Sequence, residues 1–403
     1  MKILVLNCGS SSVKYQLFDM EEEKVLARGL VERIGLARGV LTHRPAGKEK
    51  MVQESEIPDH QKAIRLVLDA LIHPEFGVLK KFQEIDGIGH RAVHGGTLSS
   101  SLLVDEKTKE VIKELEVLAP LHNGPSLRGI EACEKILPGI PQVAVFDTAF
   151  HQSMPDYAYT YSLPYEICQK HKIRRYGFHG TSHKYVAQRA AALMKRPLEE
   201  LKIITCHLGN GSSITAVKEG KSIDTSMGFT PLAGLTMGTR CGDIDPAIVT
   251  FLMMKEDYSP AEVDELLNRK SGVLGVSGLS SDFRDLEKAI DEGNDRARLA
   301  WDVFVYTVKK FIGAYAAALN GLDALVFTAG LGENSPRVRA DICRDMDYLG
   351  LRIDPAKNEV HGQEKEISSP DSSVHVFVIP TNEELMIARD TRAIVDSLRL
   401  HSV

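Results

Sequence analysis

Two stretches, half a chain apart, follow nearly the same pattern. Residues 5–19 read VLNCGSSSVKYQLFD and residues 207–220 read HLGNGSSITAVKEG. Each passes from an apolar run, through Gly and Ser, into a second apolar or alternating run, the pattern of strand, tight turn, strand. Matching Ser11 and Ser12 to Ser212 and Ser213 gives an offset of 212 − 11 = 201, about half of the 403 residues. A chain that rewrites its opening hairpin at mid-length is constrained to two related halves. A prior of roughly 150 residues per domain also gives two. A turn of Gly and Ser exposes backbone N–H groups without side-chain obstruction and can cradle phosphate oxygens. The plainer alternative is a pair of ordinary β-hairpins.

Other apolar runs end in loaded loops. IDGIGHRAVHGG (residues 85–96) ends in Arg91, His94 and two glycines, and QVAVFDTAF (142–150) puts Asp147 at a strand end. DALVFTAGLGENSP (323–336) and HVFVIPTNEELMIARD (375–390) run from a strand into a Gly-rich turn and into a helix. Ligands of α/β folds sit beyond the carboxyl ends of strands, so these ends are where chemistry is expected. Phe304, Val308, Phe311, Ile312 and Tyr315 share one face of a helix over 299–319 and read as core. Residues 43–61 and 362–373 are polar, weakly patterned surface excursions.

Composition narrows the partners. With 49 Lys+Arg against 55 Asp+Glu the net charge is −6, which argues against a nucleic-acid or anionic-membrane surface. No apolar run approaches the ~20 residues of a membrane span, and MKILVLNCGSSS suits a first strand better than a signal peptide. The six cysteines are scattered without a C-x-x-C pair, the usage of a reduced cytoplasmic protein, so the Asn210-Gly211-Ser212 sequon carries no weight.

The familiar catalytic signatures are missing. There is no G-x-x-x-x-G-K-[ST] loop, no H-R-D loop and no G-x-S-x-G elbow. His179 and His183 have the i, i+4 spacing of a zinc helix, but Gly177 and Gly180 place His179 in a loop and the intervening Glu is lacking. What remains is three Gly-rich turns after strands, with Arg91, Arg240 and Arg284 beside glycines or small residues. Arginine makes bidentate contacts to phosphate and carboxylate. Each of these arginines alone reads as a surface or salt-bridge residue. The set points to phosphoryl transfer, which depends on positioning and charge neutralisation.

NCGSSSVKY, GHRAVHGG, FDTAFH, YGFHGTSH, HLGNGSS, GLTMGTRCGDIDP, GLSSDFRD, FTAGLGENS and PTNEE together resemble the acetate kinase family, in that family's order, from Asn7 to Glu384. The resemblance implies the superfamily of sugar kinases, Hsp70 and actin: a two-domain, duplicated α/β fold of the actin-like ATPase (ribonuclease H-like) type, with ATP in the cleft between domains. The expected domains are 1–149, with the C-terminal helix of about 384–403 returning to it, and 150–383. The implied activity is reversible phosphoryl transfer between ATP and acetate with Mg²⁺ or Mn²⁺, in a cytoplasmic homodimer joined through the second domain.

Site roles follow from the resemblance, position by position. Arg91, Arg240, His179 and Asp147 resemble the catalytic set. Asn7 and Glu383 resemble the metal site. Val93, Leu121, Phe178 and Pro231 resemble the acetate-methyl pocket, to which Arg91 also belongs. Lys14, His207, Leu208, Gly209, Asn210, Gly211, Asp282, Phe283, Arg284, Gly330, Leu331, Gly332, Glu333 and Asn334 resemble the nucleotide contacts. His207 reads equally as structural. TNEE also reads as a capping box with Thr381 at N-cap and Glu384 at N3, leaving Glu383 for the metal. A carboxylic acid of pKa about 4 to 5 is already ionised at neutral pH, so the attacking carboxylate needs no base. Asp147 is therefore expected to orient an arginine or water and to balance charge. Two alternatives stand: a propionate or butyrate kinase, because a methylene changes discrimination by only ~1–3 kcal/mol, and an actin- or Hsp70-like ATPase without acyl-phosphate chemistry.

Overall fold

In a computed structural model, which describes residues 1–120 and 122–400, the chain forms two compact units. The first comprises Met1–Ala149 and Asn382–Val403, and the second Phe150–Thr381. Each carries one mixed sheet with helices.

In the first unit the strands are β1 (Lys2–Cys8), β2 (Ser12–Asp19), β3 (Lys24–Glu32), β4 (Gly39–Pro45), β5 (Met51–Ser55), β6 (Gly87–Ala92), β7 (Leu102–Leu103) and β8 (Gln142–Phe146). Their order is β5-β4-β3-β2-β1-β6-β8-β7. The second unit holds β9 (Lys202–Leu208), β10 (Ser212–Lys218), β11 (Lys221–Thr225), β12 (Ala324–Thr328), β13 (Lys365–Glu366) and β14 (His375–Val378), ordered β11-β10-β9-β12-β14-β13. The run β3-β2-β1-β6-β8 thus has the connectivity of β11-β10-β9-β12-β14. In both, the first three strands are antiparallel and the rest parallel to the first. That shared order accounts for the repeated hairpin.

The register corrects the serine match. β1 and β9 bury the same five of seven positions at an offset of 202 − 2 = 200. Cys8 pairs with Val13, enclosing four residues (13 − 8 − 1), whereas Leu208 pairs with Ser212, enclosing three (212 − 208 − 1). The first turn is one residue longer, so the serines that look alike are not equivalent. The positional counterparts are Asn7 with His207, and opposite them Lys14 with Ser213.

In the second unit, alternation along the strands feeds two faces. Ile204, Cys206, Ile214, Leu325 and Phe327 pack with Trp301, Phe304, Val308, Ile312 and Tyr315 of the helix Asp295–Leu319. Ile203, Val217, Ala324 and Val326 pack with Val186, Ala187 and Ala190 of the helix Gly180–Met194. In the first unit Leu4, Leu6, Val13 and Tyr15 pack with Ile64, Val67 and Leu68 of the helix His60–Leu71. The C-terminal helix Glu383–Leu400 lies on β6 so closely that a Cβ on Gly89 would overlap Thr391 and Ile387, which explains the glycine in GIGHRA.

The polar stretches read as surface excursions hold regular structure. Residues 43–61 contain the end of β4, the mostly exposed edge strand β5 and the start of the helix at His60. An edge strand has little to bury and so shows no apolar alternation. Residues 362–373 likewise include the short edge strand β13.

His90 on β6 is fully buried, with Nε2 2.6 Å from Gln142 Oε1. His94, just beyond β6, is buried as well. Burial pushes both imidazoles down from the ordinary 6.5 to about 4. The unfolded chain takes up these protons near 6.5 while the folded chain refuses them until about 4. Their contribution to stability is therefore complete above 6.5 and is lost as the pH falls through that window, up to about 3 kcal/mol each. Urea midpoints should fall over the same window, and His90→Gln should flatten the fall. An unchanged slope in His90→Gln would contradict this assignment.

Candidate active site

The carboxyl ends of β6 and β8 hold the first cluster. Arg91 Nε donates to Asp147 Oδ1 at 3.1 Å and NH2 donates to Oδ2 at 2.6 Å, a bidentate fork. Asp147 is only 1% exposed. Burial opposes the guanidinium charge, but Asp147, Glu383 and Glu384 outweigh it and raise the Arg91 pKa. Glu383, the first residue of the C-terminal helix, is half-buried, and its enclosed Oε1 has no hydrogen-bond partner among the described residues. Burial first, then repulsion from Asp147 and Glu384, pushes its carboxyl up against the pull of Arg91. Asn7 faces Lys14 across β1 and β2, and Lys14 is ion-paired with Glu384.

That pair corrects the capping box. The helix cap is Asn382, whose Oδ1 accepts from Leu385 N at 3.1 Å. Glu384 is spent on Lys14, and Thr381 N donates to Glu333 Oε1 at 3.0 Å. Asn123 is a buried clamp: it accepts from His94 N at 3.0 Å and donates to His94 O at 2.9 Å. With Thr148 Oγ1 accepting from Gly95 N at 3.0 Å, it fixes the loop after Arg91. Val93 in this loop is buried. Leu121 lies outside the described residues.

The second unit holds another cluster, around the β9–β10 turn. His179 takes a left-handed conformation (φ 58°) at the start of the helix Gly180–Met194. Its Nδ1 lies 2.9 Å from Ser213 Oγ, and its ring stacks on His207 at 4.1 Å between centroids. His207 Nδ1 lies 2.9 Å from Ser182 Oγ. His179 and His183 thus converge on one hydroxyl, that of Ser213. Phe178 is buried. Arg240 NH1 donates to Pro231 O at 3.1 Å. Burial pulls its pKa down, and no described carboxylate pairs with it. A Cβ on Gly211 would sit 3.4 Å from Arg240 NH1 and 3.8 Å from His179 Nε2, so glycine there brings the turn against both groups.

Beside the turn lies a cavity of about 520 Å³, lined by Gly209, Asn210, Asp282, Phe283, Arg284, Gly330, Leu331 and Asn334, together with Ser281, Glu287 and Ser335. Asp282 caps the helix Phe283–Asp291 and forks Arg284, with NH2 to Oδ2 at 2.6 Å. Several expected contact residues serve the fold. Leu208 is buried in the core. Phe283 is itself largely buried and packs edge-on to Phe304. The stretch read as a Gly-rich turn is the short helix Ala329–Asn334. Glu333 folds back on it, accepting from Ala329 N at 2.8 Å. Gly332 O accepts from Arg339 NH1 at 2.9 Å. Arg339, which pattern reading passed over, is fully buried, and its other donors go to Asn358 and Val360. Among the described residues no group of three or more His, Cys, Asp or Glu could hold a metal ion.

The first unit thus offers a fixed guanidinium; the second offers a guanidinium that no described carboxylate pairs with, a histidine against a glycine turn, and a cavity of about 520 Å³. Known proteins match this chain over nearly its whole length. The model of the acetokinase family matches residues 2–389. The acetate kinase of Moorella thermoacetica is 76% identical over 397 residues, covering 98% of this chain and 100% of that protein. Among solved structures, Porphyromonas gingivalis acetate kinase superposes with a TM-score of 0.94 at 51% identity, covering 98% of this chain and 99% of that one. A propionate kinase from Francisella tularensis gives 0.90 at 44%, covering 97% and 99%. The chain belongs to the acetokinase family.

Proposed function

We propose that this protein transfers a phosphoryl group between ATP and acetate, forming acetyl phosphate and ADP. The observation that carries the reading is Arg240: a largely buried guanidinium with no carboxylate partner among the described residues, held against the glycine turn beside His179. A buried cation without a partner is costly, and an anionic phosphoryl group at the turn relieves that cost.

In the forward direction an acetate oxygen attacks the γ-phosphorus. The bond from that phosphorus to the β,γ-bridging oxygen breaks, and its electron pair leaves on ADP. Negative charge spreads over the three equatorial oxygens, where Arg91, Arg240 and a His179 N–H neutralise it. The nucleophile is already a carboxylate, so Asp147 is free to hold the Arg91 fork rather than to take a proton. Gly209, Asn210 and Gly211 offer backbone to the phosphates. Asp282, Arg284, Gly330, Leu331 and Asn334 line the nucleoside side. Lys14, drawn to Glu384, is given to the phosphate side. Val93, Phe178, Pro231 and Leu121 are given to the methyl group, which their apolar character suits.

Glu383 and Asn7 are given to Mg²⁺ or Mn²⁺. The fit rests on Glu383 Oε1, a buried carboxylate oxygen without a hydrogen-bond partner whose pKa burial pushes up. Two hard oxygen donors plus phosphate and water suit such an ion, which when bound would neutralise phosphate charge. The reading extends to a cytoplasmic homodimer. None of the nine residues of the helix Ala247–Lys255 (AIVTFLMMK) is buried, and Phe251 and Met254 are 55% and 71% exposed. So apolar a helix face is that of a surface covered by a second copy.

MgATP with acetate, propionate or butyrate in the presence of hydroxylamine should trap acyl phosphate, with the highest kcat/KM for acetate. A maximum at a longer acid would move the substrate, and ATP hydrolysis without trapped product would overturn the reading. Sedimentation should give a dimer that Phe251→Asp with Met254→Asp converts to a folded monomer. A monomeric wild type would refute the surface assignment.

A further inference from the structure

The hydroxyls and imidazoles behind His179 form a chain whose hydrogens can be counted. Thr205 on β9, His183 on the helix Gly180–Met194 and Ser213 on β10 are all fully buried. His183 Nδ1 lies 2.7 Å from Thr205 Oγ1, and its Nε2 lies 2.7 Å from Ser213 Oγ. Ser213 Oγ lies 2.9 Å from His179 Nδ1. Burial, reinforced by His151 and His207, holds His183 neutral, well below the usual imidazole range.

The direction of the chain follows from its closed end. Among the described residues the only hydrogen-bond partner of the Thr205 hydroxyl is His183 Nδ1. Were that hydroxyl to accept a proton from Nδ1, its own hydrogen would be buried without an acceptor, a cost of desolvation with nothing in return. Thr205 therefore donates to Nδ1. Neutral His183 then carries its hydrogen on Nε2 and donates to Ser213 Oγ. Ser213, with that lone pair used, turns its single hydrogen to His179 Nδ1. His179, accepting at Nδ1, keeps its hydrogen on Nε2, the nitrogen on the side of Gly211 and Arg240.

We propose that Thr205, His183 and Ser213 are positioning residues that set the tautomer of His179, presenting it as a neutral donor through Nε2. Which nitrogen of an imidazole carries the proton is decided by the hydrogen bond at the other. Here the decision is made by a threonine two hydroxyl–imidazole steps away. That His179 gives this hydrogen to the transferring phosphoryl group rests on the function proposed above; the ordering of the chain does not.

The test is a long-range ¹H–¹⁵N correlation spectrum of the full chain with ¹⁵N-histidine near neutral pH, signals assigned by their loss in His179→Gln and His183→Gln. Both rings should show the pattern of a hydrogen on Nε2. Thr205→Val, which keeps the shape and removes the hydroxyl, should turn both into tautomer mixtures. It should also lower kcat for acyl-phosphate formation by about fivefold, the weight of one hydrogen bond, with KM for ATP unchanged, and Thr205→Ser should restore both readouts. A wild-type His179 with its hydrogen on Nδ1 overturns the proposal without any variant, so a Thr205→Val that failed to fold would not shield it. Unaltered tautomers in a folded Thr205→Val overturn it too. The Nε2 pattern in a protein that forms no acyl phosphate would support the chain while removing the reaction it serves.

Discussion

The fork between Arg91 and Asp147 is the constraint on which the first cluster depends. Asp147 is almost wholly enclosed, and a carboxylate taken out of water must be paired. The bidentate pairing fixes the guanidinium plane at the end of β6, and the strand register brings Asp147 to it, because Arg91 pairs with Val145 and Ala92 with Phe146. The same arrangement leaves Glu383 half-buried, with one enclosed oxygen without a hydrogen-bond partner among the described residues. One carboxylate is consumed by the arginine, and the other keeps an oxygen that no described group satisfies.

The second unit solves the opposite problem. Arg240 is held by a carbonyl and not by an anion, and Arg339 is neutralised by no described carboxylate but satisfied by carbonyls that brace the helix Ala329–Asn334. The repeated hairpin presents different side chains in each half: where β1 and β2 place Asn7 opposite Lys14, β9 and β10 place His207 opposite Ser213.

Much of this was legible. Apolar runs ending in Arg91, Asp147 and Gly330 showed strand ends, because buried parallel strands have no polar face to hide them. The helix face from Phe304 to Tyr315 was legible from its spacing. Register was not: four successive small residues at 9–12 give no sign of a turn one residue longer than that at 209–211. The cap was misread because Thr381, Asn382 and Glu384 all suit a helix start, and only the pull of Lys14 on Glu384 and of Glu333 on Thr381 decides among them. Arg339 and Thr205 left no signal, since a lone Arg in a helix reads as surface and a Thr in an apolar strand reads as core.

The central claim is that Asp147 acts through Arg91 and not as a base. A double-mutant cycle on kcat/KM for acetate, with Arg91→Lys, Asp147→Asn and the two combined, tests it most directly. If Asp147 serves to hold the fork, the double variant should be scarcely worse than Arg91→Lys alone, a coupling well above the ~0.5 kcal/mol of independent sites. Losses that add within that margin would mean that Asp147 does chemistry of its own, and would contradict the account.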